Sequence, residues 1–384
     1  MNVTVSVKGR FHAFNLAGEL QRLSCLRRLI TSYPVFETVK YGIDKDKIQS
    51  LLTFEIMERS WRKFPGLLKR GCDVRYFLCE HYDRAASNLI PEDSDIFVGW
   101  SSFSLHSIRR SKQRGVKTVL ERGSSHIQFQ NEILREEYDR FRVKGELTHP
   151  KIVEKEISEY AEADYISVPS MYVKKTFLDR GYPEEKIIHV PYGVDLQNFR
   201  RIPKRDNTFR VIHCGALTLR KGVHYLIQAF AELSLPGTEL WLIGTISQEI
   251  KPFLARYASD IIRHLGPFPQ ANLFKYYSQG SVFCLASIEE GLAMVQAQAM
   301  ACGLPVICTT NTGGADIIRD GVDGFVVPIR DVNALKEKLL YLYKNPEHRR
   351  AMGESAHNRV VTGFSWSDYG MKMCQHYSNI VSQA

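Results

Sequence analysis

Two neighbouring cations follow a predicted buried strand and precede a predicted helix in the second half of the chain. Arg220 and Lys221 lie between the apolar run 210–214 and the helix-period segment 222–233, and Gly215 begins the connecting turn. Such a turn directs backbone N–H groups, the positive end of a helix and both cations to one point. The pattern predicts a diphosphate site, although a solvated basic turn before an amphipathic helix has the same appearance.

An acidic pair and a glycine follow another predicted strand, at residues 281–286. Glu289, Glu290 and Gly291 precede a helix of small residues at 293–301. Glycine lets a ligand approach the backbone closely, and we expect Glu290 at the helix N-terminus, facing a cleft. The alternative is an ordinary pair of carboxylates in a first helical turn, which the helix dipole favours.

A third turn, at residues 311–318, follows the predicted strand 305–309 and contains two adjacent glycines. Its amides and hydroxyls are suited to cradle a phosphate as a backbone nest. A plain connection from strand to helix explains the same residues.

The elements that must position these turns alternate between short apolar runs and helix-period segments, which predicts parallel sheets covered by helices. Turn formers and charges between Pro191 and Asn207 predict a linker. We therefore expect an α/β protein of two doubly wound domains that face each other across a cleft. The predicted strands are 3–7, 95–99, 116–120, 165–168, 187–190, 210–214, 239–243, 281–286, 305–309 and 324–327.

In this order and spacing, the three turns resemble those of the retaining glycosyltransferases of family 4, the glycosyl transferases group 1, which have the GT-B fold. The resemblance covers about residues 160 to 370, and agreement of so many ordered segments by chance is improbable. Further similar segments lie at 163–170, 186–195, 321–328 and 364–366.

The resemblance implies two Rossmann-like domains of different roles. Residues 1–198 would form an N-terminal acceptor-binding domain, and 199–366 a domain that binds a nucleotide sugar. A C-terminal helix at 367–384 would cross back to the first domain.

The implied activity is transfer of a sugar from a UDP- or GDP-linked donor to an acceptor hydroxyl, with retention of configuration. Glycan or glycolipid synthesis, including cell-surface polysaccharide, is the expected setting, with a glycan or lipid-linked acceptor. No metal and no cofactor are implied. Two alternatives remain, a GT-B glycoside phosphorylase and a non-catalytic subunit that binds nucleotide sugars.

Position by position, the resemblance assigns Arg220 and Lys221 to the diphosphate and Glu290 to the donor sugar, and counts all three as catalytic. Three positions depart from the family pattern: Gln298 replaces an acid that binds ribose hydroxyls, Ala216 an arginine, and Asp316 a glutamate. A glutamine still hydrogen-bonds a diol, without charge assistance. The donor-binding set is Gly215, Arg220, Lys221, Glu290, Gly291, Leu292, Ala293, Met294 and Gln298.

The N-terminal half resembles the family less closely. Gly9, Arg10 and His12 follow the first predicted strand and occupy the place of a flexible glycine loop on the acceptor side, without the usual paired glycines. No Gly-x-Gly-x-x-Gly fingerprint occurs there, which argues against a dinucleotide-dependent dehydrogenase.

One histidine is a candidate for the family's catalytic histidine, which follows a strand near the reactive carbon of the sugar. His126 is that candidate here, and Arg122 is the possible substitute. A lone histidine is also commonly structural, so both interpretations stay open.

Composition and charge restrict the classes of protein. The 384 residues are 44% hydrophobic and 24% charged. No apolar run is as long as a membrane span, which needs about 18 consecutive apolar residues. We expect a cytoplasmic protein, with reduced, buried thiols among its eight cysteines. The net charge of +9 comes without the interleaved aromatic and basic residues of an RNA-binding module, so no nucleic-acid partner is expected.

Three further segments have competing interpretations. Residues 57–70 mix aromatic and basic side chains, typical either of peripheral contact with the inner face of an anionic membrane or of a helix packed on a sheet, and we favour the packed helix. Residues 44–46 and 93–95 are Asp-x-Asp triplets, which we interpret as solvated turns rather than metal sites. The loop 266–269 is expected to select the base of the donor.

Overall fold

Two parallel sheets organise the chain, and the computed structural model describes residues 1–63 and 74–383 of it. The first sheet contains the strands β1 (Val3–Val7), β2 (Leu26–Thr31), β3 (Ile48–Ser50), β4 (Ile96–Trp100), β5 (Lys117–Glu121), β6 (Tyr165–Val168) and β7 (Ile187–His189). They lie in the order β3-β2-β1-β4-β5-β6-β7, and every pairing is parallel.

Helices connect these strands and surround the first sheet. They are α1 (Ala13–Arg22), α2 (Val35–Thr38), α3 (Leu52–Lys63), α4 (Val74–Ser87), α5 (Leu105–Gln113), α6 (Ile127–Arg140), α7 (Pro150–Glu162) and α8 (Met171–Leu178), with 3-10 turns at Val39–Tyr41, Lys45–Lys47 and Glu184–Lys186.

The second sheet contains β8 (Phe209–Cys214), β9 (Thr238–Ile243), β10 (Ile262–Gly266), β11 (Val282–Leu285), β12 (Val306–Thr309) and β13 (Gly324–Val327). Its order is β10-β9-β8-β11-β12-β13, again with parallel pairings. Its helices are α9 (Val223–Leu233), α10 (Lys251–Arg256), α11 (Leu273–Tyr277), α12 (Met294–Ala301), α13 (Gly314–Ile317), α14 (Val332–Lys344), α15 (Pro346–Gly363) and α16 (Trp366–Ser382), with 3-10 turns at Gln248–Ile250, Gln270–Asn272 and Thr310–Thr312.

The central strands are buried along their whole length, which explains their continuous apolar sequences. All five residues of β1, all six of β8 and all four of β11 are buried. A strand covered by helices on both faces must present apolar side chains to both. The predicted α/β fold with two doubly wound domains is confirmed.

Three strands escaped prediction because polar side chains interrupt their apolar runs. In β2, Arg27 pairs with Asp93 and Arg28 donates to the carbonyl of Leu89. The edge strand β10 carries the exposed residues Arg263 and His264. An edge strand meets solvent on one side, so its sequence need not be apolar.

The last helix, α16, leaves the second domain and packs against the first. The N–H of Val194 donates to the carbonyl of Phe364 at 2.8 Å, so the outgoing and returning segments run side by side. Tyr369, Met373 and Tyr377 of α16 are fully buried in the core that includes α1. The first domain is therefore completed by α16.

The described cysteines are free thiols. Cys79, Cys214, Cys284, Cys302 and Cys308 are buried, whereas Cys25 and Cys374 are half-buried and their sulfurs lie 3.5 Å apart. Cys72 lies outside the described residues.

Helix α3 covers the described part of the segment that mixes aromatic and basic residues, and it carries both half-buried and exposed apolar side chains. The rings of Phe54 and Tyr82 contact each other with centroids 5.8 Å apart, but Leu52, Ile56 and Met57 are exposed. The remainder of that segment, residues 64–70, lies outside the described residues. Within the described ranges, no helix is long and apolar enough to cross a membrane.

Gly222 allows a close approach of α9 to the neighbouring strand end. It has φ +59°, and a Cβ at this position would lie 1.8 Å from the carbonyl oxygen of Ala286. Gly115 also has positive φ, +75°, but a Cβ there would meet nothing within 4 Å. Both positions thus have left-handed backbone, and only at Gly222 would an added Cβ clash with a neighbour.

We expect Gly222→Ala to lower the melting temperature several degrees more than Gly115→Ala. Left-handed backbone costs a non-glycine residue about 1–2 kcal/mol at both positions, and only residue 222 adds a clash with backbone. Thermal denaturation followed by circular dichroism measures the difference. Equal losses would contradict the close approach at Gly222.

Candidate active site

The turn between β8 and α9 is anchored by apolar side chains and presents polar ones. Leu217 and Leu219 are fully buried, whereas Arg220 and Lys221 keep part of their side chains exposed. The N–H of Lys221 donates to Oγ1 of Thr218 at 3.2 Å, which closes the turn before α9 begins. The alternation therefore directs both cations out of the core.

A second turn, between β11 and α12, lies directly against the first. The N–H of Ile288 donates to the carbonyl of Arg220 at 2.8 Å, and that of Glu290 donates to the carbonyl of Asn311 at 2.9 Å. These backbone bonds bring the three turns predicted from the sequence together. They meet at the carboxyl ends of adjacent parallel strands, where open sheets bind ligands.

Arg220, Lys221, Glu289 and Glu290 form one charged cluster. Nη2 of Arg220 lies 2.8 Å from Oε2 of Glu289, and Lys221 forms an ion pair with Glu290. Burial raises the pKa of Glu290, but the charges of Lys221 and Arg220 outweigh burial and hold that pKa below its ordinary value. Each cation thus has an acidic partner in the absence of a ligand.

Gly291 lies at the contact between the two domains. A Cβ on Gly291 would stand 1.8 Å from the carbonyl oxygen of Gly123, and the hydroxyl of Ser170 donates to the carbonyl of Gly291 at 2.7 Å. Leu292 and Ala293, which follow it, are buried. Residues of the first domain therefore occupy positions next to the predicted sugar-binding backbone.

A cavity of about 820 Å³ opens between the domains beside α12. Arg10 and His12 line it from the first domain, and Met294 and Gln298 from the second. The Oε1 atom of Gln298 lies 3.5 Å from the hydroxyl of Tyr277. Met294 and Gln298 are one helical turn apart on α12, so both side chains lie on the same face of the helix, towards the cavity.

Further residues of this cavity lie next to the loop predicted to select the base. Gln270 and Ala271 line the cavity, and they follow the loop 266–269. Within that loop, the ring of Phe268 stacks on Tyr276 with centroids 4.1 Å apart. The selection of the base by this loop stays a prediction.

The glycine loop after β1 is held by its neighbours. The N–H of Gly9 donates to Oγ of Ser32 at 3.0 Å, and its carbonyl accepts from the hydroxyl of Thr31 at 3.0 Å. Arg10 is exposed at the cavity. Its predicted role on the acceptor side stays a prediction.

His12 is paired with a buried carboxylate that sequence reasoning missed. Nε2 of His12 lies 3.2 Å from Oε2 of Glu121, which is 1% exposed. The imidazole also contacts the ring of Tyr192, with centroids 4.1 Å apart. The pairing holds the His12 ring in one orientation at the wall of the cavity.

His126 lies inside the first domain and is not brought to the charged cluster. Its ring is surrounded by Tyr160, Phe177 and Tyr182, and its Nδ1 accepts from the N–H of Gln128 at 3.3 Å. Burial lowers the pKa of His126 to about 3, and the charges of nearby arginines add to the effect. The described contacts fit a helix cap, and the catalytic role stays a prediction.

Arg122, the possible substitute for a catalytic histidine, is also buried. Nη1 of Arg122 lies 2.9 Å from a carboxylate oxygen of Glu156, and the guanidinium donates to the carbonyl of Ser125 and to Gln130. These contacts support the loop 122–126 from within the first domain.

Asp316, in the third turn, contacts the first domain. Its carboxylate accepts from the N–H of Met171 and lies 2.8 Å from Nε2 of His189. This part of the predicted phosphate nest therefore takes part in the domain contact, and the role of its amides stays a prediction.

The two Asp-x-Asp triplets pair with nearby groups of the first domain. Asp44 accepts from Gln21, Asp93 from Arg27, and Asp95 from the N–H of Asn2. Among residues 1–63 and 74–383, no group of three or more histidines, cysteines or acids is arranged to hold a metal ion.

Sequence reasoning missed the residues that join the two domains at the cluster. The N–H and hydroxyl of Ser125 both donate to Oε1 of Glu289, at 3.0 and 2.7 Å. These partners are 164 positions apart, and no local pattern connects them. The available signal is the adjacent pair of acids, Glu289 and Glu290, in the turn.

Comparison with known proteins supports the fold. A glycosyltransferase from Rickettsia africae has 17% sequence identity and a TM-score of 0.73, with 100% of this chain and 99% of that chain covered. HepE of Anabaena, in complex with UDP and glucose, has 14% identity and a TM-score of 0.71, with 99% and 100% covered. Two facing Rossmann-like domains with this topology have the GT-B architecture.

The sequence comparison finds similarity to known glycosyltransferases over part of the chain. Residues 195–359, less than half of the chain, match the family model of the glycosyl transferases group 1. A GDP-mannose-dependent monoacylated alpha-(1-6)-phosphatidylinositol monomannoside mannosyltransferase from Corynebacterium glutamicum is 28% identical over 236 residues. The match covers 55% of this chain and 61% of that relative, less than two thirds of its length.

We expect His126→Asn to weaken the loss of stability that acid causes. In the folded protein the pKa of His126 is about 3, below the about 6.5 of an unfolded chain. The unfolded state therefore binds the proton first, and stability falls as pH decreases from about 6.5 towards 3. Asparagine can still cap the helix and does not titrate in this range.

Melting temperatures measured between pH 7 and pH 5 check this expectation. Between pH 7 and pH 5, the melting temperature of the wild type should fall more than that of His126→Asn. The same pH dependence in both proteins would contradict a buried, neutral His126.

Proposed function

We propose that this protein transfers a sugar from a nucleoside-diphosphate donor to an acceptor hydroxyl, with retention, in glycan or glycolipid synthesis. One observation carries the proposal: Arg220 and Lys221 lie at a strand-to-helix turn, beside Glu290 and opposite the first domain. The match of residues 195–359 to the glycosyl transferases group 1 supports the same activity.

The chemistry follows from where charge develops. As the bond between the sugar and the diphosphate breaks, negative charge accumulates on the departing phosphate oxygens. Fixed cations and helix N-termini at that point stabilise the transition state, which is commonly the largest contribution to catalysis. In this proposal Arg220 and Lys221 take that role, so the reaction needs neither a metal nor another cofactor.

The acceptor side completes the proposal. Closure of the domains excludes water and limits hydrolysis of the donor. The side of the cavity formed by His12 and Arg10 would receive the acceptor, and Glu290 with the backbone of residues 291–294 would receive the sugar hydroxyls. UDP and GDP are the donor nucleotides to test first, because HepE binds UDP and the Corynebacterium relative uses GDP-mannose.

We expect UDP or GDP to raise the melting temperature of the wild type, and Arg220→Gln/Lys221→Gln to abolish this shift. A ligand at a hundred times its dissociation constant stabilises a protein by about 2.7 kcal/mol. Thermal shift with UDP, GDP and ADP measures it. A matched control, Lys338→Gln/Arg350→Gln, removes two cations from the same domain outside the cluster and should retain the shift.

Two results would contradict the proposal. If nucleotide raises the melting temperature of the Arg220/Lys221 double variant as much as that of the wild type, these residues do not form a diphosphate site. If the double variant does not fold, Lys221→Gln alone decides the question. Nucleotide binding without release of nucleoside diphosphate from any sugar donor would favour a non-catalytic subunit, and turnover that requires inorganic phosphate would favour a phosphorylase.

We also propose that the exposed face of α3 contacts an anionic membrane that carries the acceptor. Ile56 is 55% exposed and Met57 46%, and Arg59, which is paired with Glu55, lies on the same helix. Apolar side chains next to cations suit an anionic lipid surface. The phosphatidylinositol-based substrate in the name of the Corynebacterium relative supports a lipid acceptor.

Ile56→Glu/Met57→Glu should reduce binding to phosphatidylglycerol vesicles by at least tenfold, because two carboxylates would face apolar and anionic lipid. Vesicle flotation measures the bound fraction, and phosphatidylcholine vesicles show the part that needs anionic lipid. The control Val322→Glu/Val361→Glu alters exposed valines of the second domain and should bind as the wild type does. Unchanged flotation of the α3 variant would exclude this face.

A further inference from the structure

Glu289 connects the charged cluster to the first domain, although only its neighbour Glu290 matches the family pattern. Its side chain is 0% exposed. Oε1 accepts two hydrogen bonds from Ser125, and Oε2 lies 2.8 Å from Nη2 of Arg220. One oxygen of this carboxylate thus contacts the first domain, and the other contacts Arg220 of the second domain.

The same residue holds Arg220 from two directions. Nε of Arg220 donates to the backbone carbonyl of Glu289 at 3.1 Å, while Nη2 meets the carboxylate. The hydroxyl of Ser124 lies 3.4 Å from Nη2. These contacts fix the plane of the guanidinium, and 32% of the side chain remains exposed to meet a ligand.

The contact with Ser125 exists only while the domains are close together. Gly123 and Gly291 meet backbone to backbone at this point, which leaves no space for a side chain between them. If the domains separate, the carboxylate of Glu289 loses both hydrogen bonds from Ser125, and Arg220 loses Ser124. Closure therefore adds two hydrogen bonds to the carboxylate that contacts Arg220, and one further contact to Arg220 itself.

We propose that Glu289 is a positioning residue that couples donor binding at Arg220 to closure of the first domain through Ser125. This inference rests on the proposed function, because it takes Arg220 as a diphosphate-binding cation. The coupling is reciprocal: whatever fixes Arg220 stabilises the Ser125 contact, and the contact strengthens nucleotide binding by the same factor.

Hydrogen exchange of the loop 122–126 with and without nucleotide tests the proposal. The N–H of Ser125 donates to Glu289, so saturating UDP or GDP, whichever binds, should slow exchange in the wild-type loop by about fivefold or more. In Ser125→Ala the nucleotide-dependent slowing of exchange should be at least twofold smaller, and in Glu289→Gln it should disappear. Both variants should bind the nucleotide more weakly by isothermal titration.

A matched control separates coupling from general domain contact. Glu136→Gln removes a different interdomain ion pair, in which Glu136 lies 3.2 Å from Nη1 of Arg330. It should keep the full nucleotide-dependent protection of the loop 122–126. If Glu289→Gln fails to fold, Ser125→Ala, which removes a single hydroxyl, decides the question.

The failures are distinguishable. If the wild type shows no measurable affinity for UDP, GDP or ADP, the proposed function fails, and the inference fails with it. If the wild type binds a nucleotide but its loop gains no protection, or Ser125→Ala and Glu289→Gln gain as much as the wild type, the coupling alone is overturned.

Discussion

The backbones of the two domains meet at Gly123 and Gly291, and the arrangement of the charged cluster depends on this contact. A Cβ on Gly291 would stand 1.8 Å from the carbonyl oxygen of Gly123, so any larger residue would push the domains apart. Only at this separation does Ser125 reach Glu289. The absence of one side chain therefore determines which polar groups can meet across the cleft.

Electrostatics explains why the cluster is stable before it binds a ligand. Two adjacent arginine and lysine side chains repel each other and lose hydration as the domains approach. Glu289 and Glu290 each take one cation, Arg220 and Lys221 respectively. An incoming diphosphate would find cations already oriented, and preorganised charge needs little rearrangement during the reaction.

The sequence was sufficient for the fold and for the second domain's turns, because these depend on local patterns. Apolar runs such as β8 and β11 are buried on both faces, and Arg220, Lys221 and Glu290 lie in turns that follow them. Interdomain partners could not be predicted, since Ser125 and Glu289 are far apart in the chain. His126 shows the opposite limit: its residue type suggested chemistry, while its burial among aromatic rings depends on tertiary packing.

The return of α16 to the first domain has a consequence for how the protein can be divided. Buried side chains of α16, including Tyr369 and Met373, belong to the core around α1. A fragment that ended at the linker near Tyr192 would expose this apolar surface of the first domain and lack the helix that covers it. An independently folding N-terminal fragment would need residues 366–382 attached to it.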